Sequence, residues 1–431
     1  MTAVVGIMNK RGIAIAADSA VTMTRDGDVK IANSANKMIR LSSAQPVSVM
    51  VVGNACFLDT PWDIIIRRYR QKRGDSSLPS VEAYVDDFLA YLPTEKQLRN
   101  LPYENAYVMD AIKYCFNLIN MSVPCFETDD DDNITNLKEV IQAFKEGIAQ
   151  TREEWKDAQP STAFKGYTFK MFKKFVSRLW DKFVEDKTED FFSSYPKALF
   201  KPIKDGLLEL VFTYLIAYRD DAETLLVFSG FGADEEYPSL IAVKVNEGFD
   251  GRVCYRIEDK DKVHITDKNE AAICPYAQSD IMRALLTGVN PVFKRAAFYS
   301  NANSYGEYDS QVKIHLITND EMSDKLDTAI NKVKHDDLCH SFASQEEKRE
   351  NASWQSWINA LKNYDLQDMA HLAENLVAIT SFERHVTFKQ EGVGGPIDLA
   401  VITKNDGFVW LNRKSWYNHQ DVGGRYGRFG V

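Results

Sequence analysis

The order of predicted elements along the chain indicates an α+β fold. Short segments of alternating apolar residues occupy residues 2–53, helical spacing dominates residues 75–220, and strand patterns return after residue 224. Alternation with a period of two is typical of strands, whereas apolar residues three and four apart are typical of helices. Because the two kinds of element are segregated along the chain, layered α+β packing is favoured over alternating βαβ units.

The composition is that of a globular protein with an acidic charge balance. Its 431 residues are 45% hydrophobic and 26% charged, which suits one large domain or a few ordinary ones. The net charge of −10 argues against a protein that binds nucleic acid. None of the six cysteines forms a CxxC pair, so neither a zinc ribbon nor a redox motif is expected.

Two further observations bear on the cellular compartment. The sequence does not start with a basic segment followed by an apolar core, so we expect no signal peptide. The longest apolar stretch, at residues 207–217, is about half of the roughly 20 residues that a membrane span needs. Since sparse cysteine in a long chain fits a reducing compartment, we expect a cytoplasmic protein that does not contact a membrane.

The first 74 residues are predicted to form strands followed by one helix. Residues 9–12 and 25–28 have turn chemistry, because glycine, asparagine and aspartate accept turn geometries. Thr60 can cap a helix and Pro61 suits its first turn, so we expect a helix that ends near Arg73. The predicted strands are residues 2–8, 13–17, 37–41 and 47–52.

Residues 75–220 have the spacing of helices. The acidic run at residues 127–132 interrupts them, and we expect it to be a solvated loop. A calcium-binding loop would require a glycine at its sharp turn, and that glycine is missing. The predicted helices are residues 80–92, 104–121, 134–156, 165–186 and 196–218.

The second half of the chain returns to strands and then to further helices. Residues 397–403 and 408–412 are predicted to form a closing hairpin, and the tail at residues 415–431 is expected to be loose. The other predicted strands are residues 225–228, 240–245, 252–258, 262–265 and 313–318, and the predicted helices are residues 278–287, 320–335 and 345–382.

Several short motifs occur in a fixed order along the chain. They are TAVVGI at residues 2–7, GIAIAADS at 12–19, NKMIRL at 36–41, VGNA at 52–55, FSGF at 228–231 and GGPIDLAVI at 394–402. Together these motifs resemble a proteasome β subunit and its bacterial relatives, the HslV and Anbu-type peptidases. The matching segments leave out residues 75–220 and much of residues 300–380.

The resemblance implies a specific version of the α+β class, the four-layer αββα sandwich of the N-terminal-nucleophile hydrolases. It implies that residues 1–74 and 221–414 form a discontinuous core. Residues 75–220 would then be a large helical insertion, and residues 415–431 a C-terminal tail. It also implies a homo-oligomer, because proteasome relatives stack into rings or spirals.

The resemblance assigns a role to each of four residues. Thr2, once Met1 is removed, matches the N-terminal nucleophile, and its free α-amine can act as general base for its own hydroxyl. An α-amine suits this task because it titrates at about 7.7–8.0. Lys37 matches the lysine beside the nucleophile, Asp18 the acidic residue that orients this lysine, and Gly53 the donor of the oxyanion hole.

The residues that support the N-terminal amine in the family are different in this chain. The family has a serine directly before the Gly-Gly of the closing segment and an aspartate three residues earlier, whereas this chain has Val393 and Gln390. Glu391 is a candidate replacement for the aspartate. Ser279 is a candidate replacement for the family's other serine, and Ser19 is a further candidate supporting residue.

The function implied is hydrolysis of peptide bonds in a peptide or an unfolded protein, without a metal or an organic cofactor. Two alternatives stay open. The departures at Val393 and Gln390 favour a non-catalytic, proteasome-like assembly subunit. An amidase acting on a non-protein substrate is the other alternative, because N-terminal-nucleophile folds carry out several amide hydrolyses and a fold does not determine a substrate.

Overall fold

The computed structural model describes residues 3–25, 28–32, 36–95, 100–124, 135–185, 195–218, 224–316, 335–387 and 394–414. Within these ranges the protein combines helices with antiparallel sheets, which agrees with the predicted α+β class. None of the helices in these ranges combines the length and the apolar character that crossing a membrane requires.

The described strands and helices follow the predicted order of strands, helices, strands, helices and strands. The strands are β1 (Ala3–Asn9), β2 (Gly12–Ala17), β3 (Val21–Arg25), β4 (Asp28–Ala32), β5 (Met38–Arg40), β6 (Val47–Gly53), β7 (Cys56–Phe57), β8 (Thr60–Pro61), β9 (Thr224–Gly230), β10 (Ser239–Phe249), β11 (Arg252–Arg256), β12 (Lys262–His264), β13 (Ala271–Ala277), β14 (Asp398–Thr403) and β15 (Gly407–Asn412). The helices are α1 (Trp62–Arg73), α2 (Val81–Tyr91), α3 (Leu101–Asn120), α4 (Leu137–Glu154), α5 (Phe169–Glu185), α6 (Lys197–Thr213), α7 (Asp280–Thr287), α8 (Pro291–Leu316), α9 (His335–Leu361) and α10 (Leu366–Val386).

Two antiparallel sheets contain most of the strands. The first sheet has the order β13-β1-β2-β14-β15, so strands from the start and the end of the sequence lie side by side. The second sheet has the order β11-β10-β9-β6-β5, and β12 pairs with β10. Two short hairpins, β3–β4 and β7–β8, lie outside both sheets.

The two sheets pack face to face through one apolar layer. Successive residues of a strand point to opposite faces of its sheet. Val4 and Ile15 of the first sheet accordingly face inward and pack in one cluster with Met50 and Leu240 of the second sheet. Val5 belongs to a different cluster on the outer face of the first sheet.

Helices cover the outer face of each sheet. On the first sheet, α10 runs along β1, β2 and β14, and α7 and α9 complete the layer. On the second sheet, α1 and α2 bury Trp62, Tyr69 and Phe88 against strand residues that include Phe228. The order across this part of the molecule is therefore helices, sheet, sheet, helices.

A separate apolar cluster joins helices α3 to α6. Phe116, Phe144 and Phe172 are fully buried there. Phe249, at the end of β10, inserts into this cluster and stacks on Phe164 with ring centroids 5.3 Å apart. Strand β10 thus connects the second sheet to the four-helix region.

Several sequence-based expectations require correction. The predicted strand at residues 313–318 is wrong over residues 313–316, which form the last turn of α8. The predicted helix at residues 345–382 is two helices, because Asp365 caps a new one by accepting a hydrogen bond from the Asp368 amide. Strands β3, β4, β7, β8 and β13 were not predicted, and no part of α8 was predicted as a helix.

Other expectations concern residues outside the described ranges. They are the acidic loop at residues 127–132, most of the predicted helix at residues 320–335, and the tail at residues 415–431. Helix α2, which the sequence analysis grouped with residues 75–220, packs on the second sheet and shares no apolar cluster with α3 to α6.

Removing the Phe249 ring should destabilise the whole protein. Phe249 is fully buried and contacts rings from several helical segments, so Phe249→Ala should lower the free energy of unfolding by about 3–5 kcal/mol. The matched control Phe293→Ala removes a ring that is 74% exposed and should cost less than about 0.5 kcal/mol. Urea denaturation measures both values, and equal losses would contradict this account of the connection.

Candidate active site

The candidate site lies at one end of the first sheet, where β1 begins and β2 ends. Antiparallel pairing places Val4 opposite Ala17, so Asp18 lies beside Ala3. The Asp18 amide donates to the Ala3 carbonyl at 3.1 Å. The Ala3 amide in turn donates to Asp18 Oδ1 at 2.9 Å. Asp18 is therefore bound to Ala3 through both its backbone and its side chain.

Four donors surround the Asp18 carboxylate, which is fully buried. Oδ1 accepts from the Ala3 amide and from Lys37 Nζ, the latter at 2.7 Å. Oδ2 accepts from the amides of Ala20 at 3.2 Å and Gly394 at 3.1 Å. Hydrogen bonds from such donors replace those to water that a carboxylate loses on burial. The structure thus brings Asp18 and Lys37 into direct contact.

Lys37 reaches Asp18 from the second sheet. Its carbonyl accepts from the Val51 amide at 2.8 Å, which fixes its backbone at the start of β5 beside β6. The side chain is only 5% exposed. Burial holds the pKa of Lys37 below its ordinary value of 10.5. The attraction of Asp18 raises this pKa, but the effect of burial is larger. Lys37 is therefore a cation that loses its proton more readily than a surface lysine.

Gly53 is the last residue of β6, the strand of the second sheet that binds the backbone of Lys37. It lies two residues beyond Val51, the backbone partner of Lys37, and it is exposed. Its φ angle of 92° is in the left-handed region, which glycine adopts without the steric cost that a side chain would add. The backbone there is open to close approach by a ligand.

The candidate supporting serines have different surroundings. Ser19 is fully buried; its amide donates to the Gly394 carbonyl at 3.2 Å, and its hydroxyl accepts from Lys414 Nζ at 3.0 Å. Ser279 follows β13, whose last residue, Ala277, pairs with Ala3. Its hydroxyl accepts from Arg283 Nε at 3.3 Å. Both serines thus belong to segments that meet at the start of β1.

Two predicted site residues lie outside the described part of the chain. They are Thr2, the predicted nucleophile, and Glu391, a predicted supporting residue. Gln390 and Val393, where the chain departs from the family pattern, also lie outside it. Thr2 is nevertheless bonded covalently to Ala3, and the α-carbons of adjacent residues are about 3.8 Å apart.

The sequence analysis did not find two charged residues that border this site. Asp398 begins β14 opposite Ala17, and its Oδ2 accepts from Lys414 Nζ at 2.6 Å. A carboxylate at the head of the apolar segment DLAVI was a usable signal, because a buried charge requires a partner. Lys414 gave no such signal, since it follows the closing hairpin in a polar stretch of the sequence.

A partly buried ion pair holds the turn that contains Ser279. Arg384, near the end of α10, donates through Nε to Gln278 Oε1 and through a terminal nitrogen to Asp280 Oδ1, both at 2.6 Å. Its side chain is 8% exposed. Because Gln278 and Asp280 flank Ser279, this arginine fixes the turn on both sides of the serine.

Comparisons with known proteins do not place the chain in a family. No protein-family model matches it, and no curated protein matches it either. The site must therefore be interpreted from its own residues and geometry. Within the described ranges, no group of three or more His, Cys, Asp or Glu side chains is arranged to hold a metal ion.

The buried Asp18–Lys37 pair should matter far more to stability than an exposed pair of similar length. Asp18→Asn leaves the Lys37 ammonium buried without its counter-ion, so it should lower the free energy of unfolding by about 3 kcal/mol or more.

Asp267→Asn is the matched control, because Lys10 Nζ contacts Asp267 at 2.8 Å while the Asp267 side chain is 82% exposed. Exposed ion pairs contribute little, so this variant should unfold like the wild type in urea. If Asp18→Asn did so as well, the Asp18–Lys37 pair would not be the organising contact of the site.

Proposed function

We propose that the protein is an N-terminal threonine hydrolase that cleaves peptide bonds, with Thr2 as nucleophile after removal of Met1. One observation carries this proposal. The buried Asp18–Lys37 ion pair also binds the amide of Ala3, the residue to which Thr2 is bonded. Once Met1 is removed, Thr2 is the first residue of the chain and Ala3 the second. A buried lysine–aspartate pair that binds Ala3 would therefore be close enough to assist a nucleophile at Thr2.

The Thr2 α-amine would take the proton of the Thr2 hydroxyl as the oxygen attacks the substrate carbonyl. The scissile C–N bond then breaks, and the leaving amine receives that proton. An ester joins Thr2 to the acyl part of the substrate. Water, activated by the same amine, hydrolyses this ester and restores the free enzyme. Neither a metal nor an organic cofactor takes part in these steps.

Lys37 would make the hydroxyl a better nucleophile. Its ammonium group is held at 2.7 Å from Asp18, so the positive charge is fixed in place and almost excluded from water. A charge in such surroundings acts more strongly than in water. It lowers the cost of forming an alkoxide and favours the neutral form of the nearby amine.

Gly53 would supply an oxyanion-hole donor. Its exposed position, its positive φ angle and its place two residues beyond Val51 support this role. A backbone N–H that binds the developing oxyanion typically contributes about 10²–10³ in rate.

The fold supports the same assignment. Helices, sheet, sheet and helices follow one another, and β1, β2 and β14 lie side by side, as the four-layer sandwich of N-terminal-nucleophile hydrolases requires. The α3 to α6 region has its own apolar cluster, which supports the interpretation of a helical insertion. We further propose a homo-oligomer, either a ring or a spiral, that acts on peptides or unfolded proteins.

The first test is the mass of the native N-terminus before and after reaction with a peptide epoxyketone or vinyl sulfone. We expect a chain that begins at Thr2 and gains one probe per protein. Thr2→Ala should abolish this labelling, whereas Thr2→Ser, which keeps a hydroxyl, should retain it.

Labelling that persists in Thr2→Ala would show that another residue is the nucleophile. A chain that begins at Thr2 but resists the probe would instead support a non-catalytic assembly subunit. Labelling combined with turnover of small amides but not of peptides would support an amidase.

The rate of probe labelling should depend on pH with a maximum in the alkaline range. It should rise as the Thr2 amine loses its proton, at or below the ordinary α-amine value of about 7.7–8.0, because the nearby Lys37 charge favours the neutral amine. It should fall again as Lys37 deprotonates, at a pH below the ordinary lysine value of 10.5, because burial lowers the pKa of Lys37.

Lys37→Arg provides the matched variant, because arginine keeps its charge throughout this range. Its labelling rate should rise in the same way and then stay level. A decline at the same pH in both proteins, with circular dichroism showing that both remain folded, would exclude Lys37 as its cause.

A further inference from the structure

A second buried lysine–aspartate pair lies beside the first. Lys414 Nζ contacts Asp398 Oδ2 at 2.6 Å, and the Lys414 amide donates to Asp398 Oδ1 at 2.9 Å. The two side chains are 6% and 4% exposed. Asp398 therefore binds Lys414 through both of its carboxylate oxygens, and Lys414, two residues beyond the closing hairpin, is fixed inside the protein.

Two contacts connect this second pair to the candidate site, and Gly394, in the segment just before Asp398, makes two more. Asp398 lies opposite Ala17, the residue before Asp18, in the β2–β14 register. Lys414 Nζ donates to the hydroxyl of Ser19, the residue after Asp18. The segment before β14 binds Asp18 and Ser19 directly. The Gly394 amide donates to Asp18 Oδ2, and the Gly394 carbonyl accepts from the Ser19 amide.

Stability alone does not explain this arrangement. Removing two charges from water costs several kcal/mol per ion, and a buried ion pair is often no more stabilising than apolar side chains of the same size. The neighbours of Asp398 in the strand, Leu399 and Ala400, are buried apolar residues. An apolar side chain could therefore also be buried in this part of the sheet. Two buried pairs at one end of one sheet therefore call for a functional explanation.

We propose that Asp398 and Lys414 are positioning residues of the active site, whose ion pair holds the Ser19 hydroxyl and sets the electrostatic environment in which Lys37 acts. This inference rests on the proposed function, because it assigns Lys37 a role beside the Thr2 nucleophile.

Among the described residues, the charged groups that act on Lys37 include Asp18, Asp398 and Lys414. Asp18 and Asp398 attract its proton, whereas Lys414 repels it. Lys414 thus acts with burial to lower the pKa of Lys37. The second pair therefore helps to determine the pH at which Lys37 loses the charge that assists Thr2.

The decisive measurement does not require activity. The full-length protein, labelled with ¹³C at the lysine ε-carbons, is titrated by NMR, and the Lys37 signal is assigned by its loss in Lys37→Arg. Lys414→Met should raise the pKa of Lys37, because the repulsion is removed. Asp398→Asn with Lys414→Met should raise it less, because the attraction from Asp398 is removed as well.

Two controls separate charge from structural damage. Lys414→Arg disturbs the packing but keeps the positive charge, so Lys37 should titrate as in the wild type. Lys10→Gln removes an exposed lysine that contacts Asp267 at the other end of β1, and it should also leave the Lys37 titration unchanged. An equal shift in Lys414→Met and Lys414→Arg would overturn the proposal, and so would no shift in Lys414→Met.

The pH dependence of probe labelling provides the functional measurement. In Lys414→Met the alkaline decline of the Thr2 labelling rate should move to higher pH, in parallel with the Lys37 titration, and in Lys414→Arg it should not move. Labelling of the wild type with no response of Lys37 to Lys414→Met would refute this inference and leave the proposed function standing. A Lys37 shift in a protein that no probe labels at Thr2 would instead refute the proposed function.

Discussion

The candidate site depends on the hydrogen bonds that the buried Asp18 carboxylate accepts. Its four donors come from four parts of the chain: the start of β1, the segment after β2, the loop before β5 and the segment before β14. One buried group therefore joins the first sheet, the second sheet and the closing strands at a single point. The hydrogen bond from the Ala3 amide thereby fixes the start of β1 relative to the other segments that bind Asp18.

Close packing of the two sheets makes this contact possible, because Lys37 has to reach Asp18 from the opposite sheet. Small residues allow the approach. An added Cβ on Gly6 would lie 2.7 Å from Leu240 Cδ1, so β1 lies almost directly against β10. On the other face of the first sheet, Ala14 and Ala16 leave room for α10. The pattern of small residues in β1 and β2 thus determines the distance between the elements that form the site.

The sequence predicted the parts of the site that depend on local patterns. The alternating strands could be found from their period of two, and Asp18, Lys37 and Gly53 were found through the resemblance of the short motifs that contain them to a known family. Strand β13 could not, since Pro275 argues against a strand; it is tolerated because β13 is the edge of its sheet. The Asp398–Lys414 pair was missed because its meaning depends on Asp18, almost 400 positions away.

The contacts of the second ion pair also determine when the site can form. Ser19 is held by Lys414 and by Gly394, and Asp18 is held by Gly394, so residues near the start of the sequence are fixed by residues near its end. Contacts of such separation form only after the intervening chain has folded, because closing a long loop costs entropy before the contact stabilises it. During synthesis Thr2 is exposed long before Lys414 exists. The contacts of Asp18 and Ser19 with the end of the sequence are therefore among the last to form, so the proposed active site would be completed late in folding.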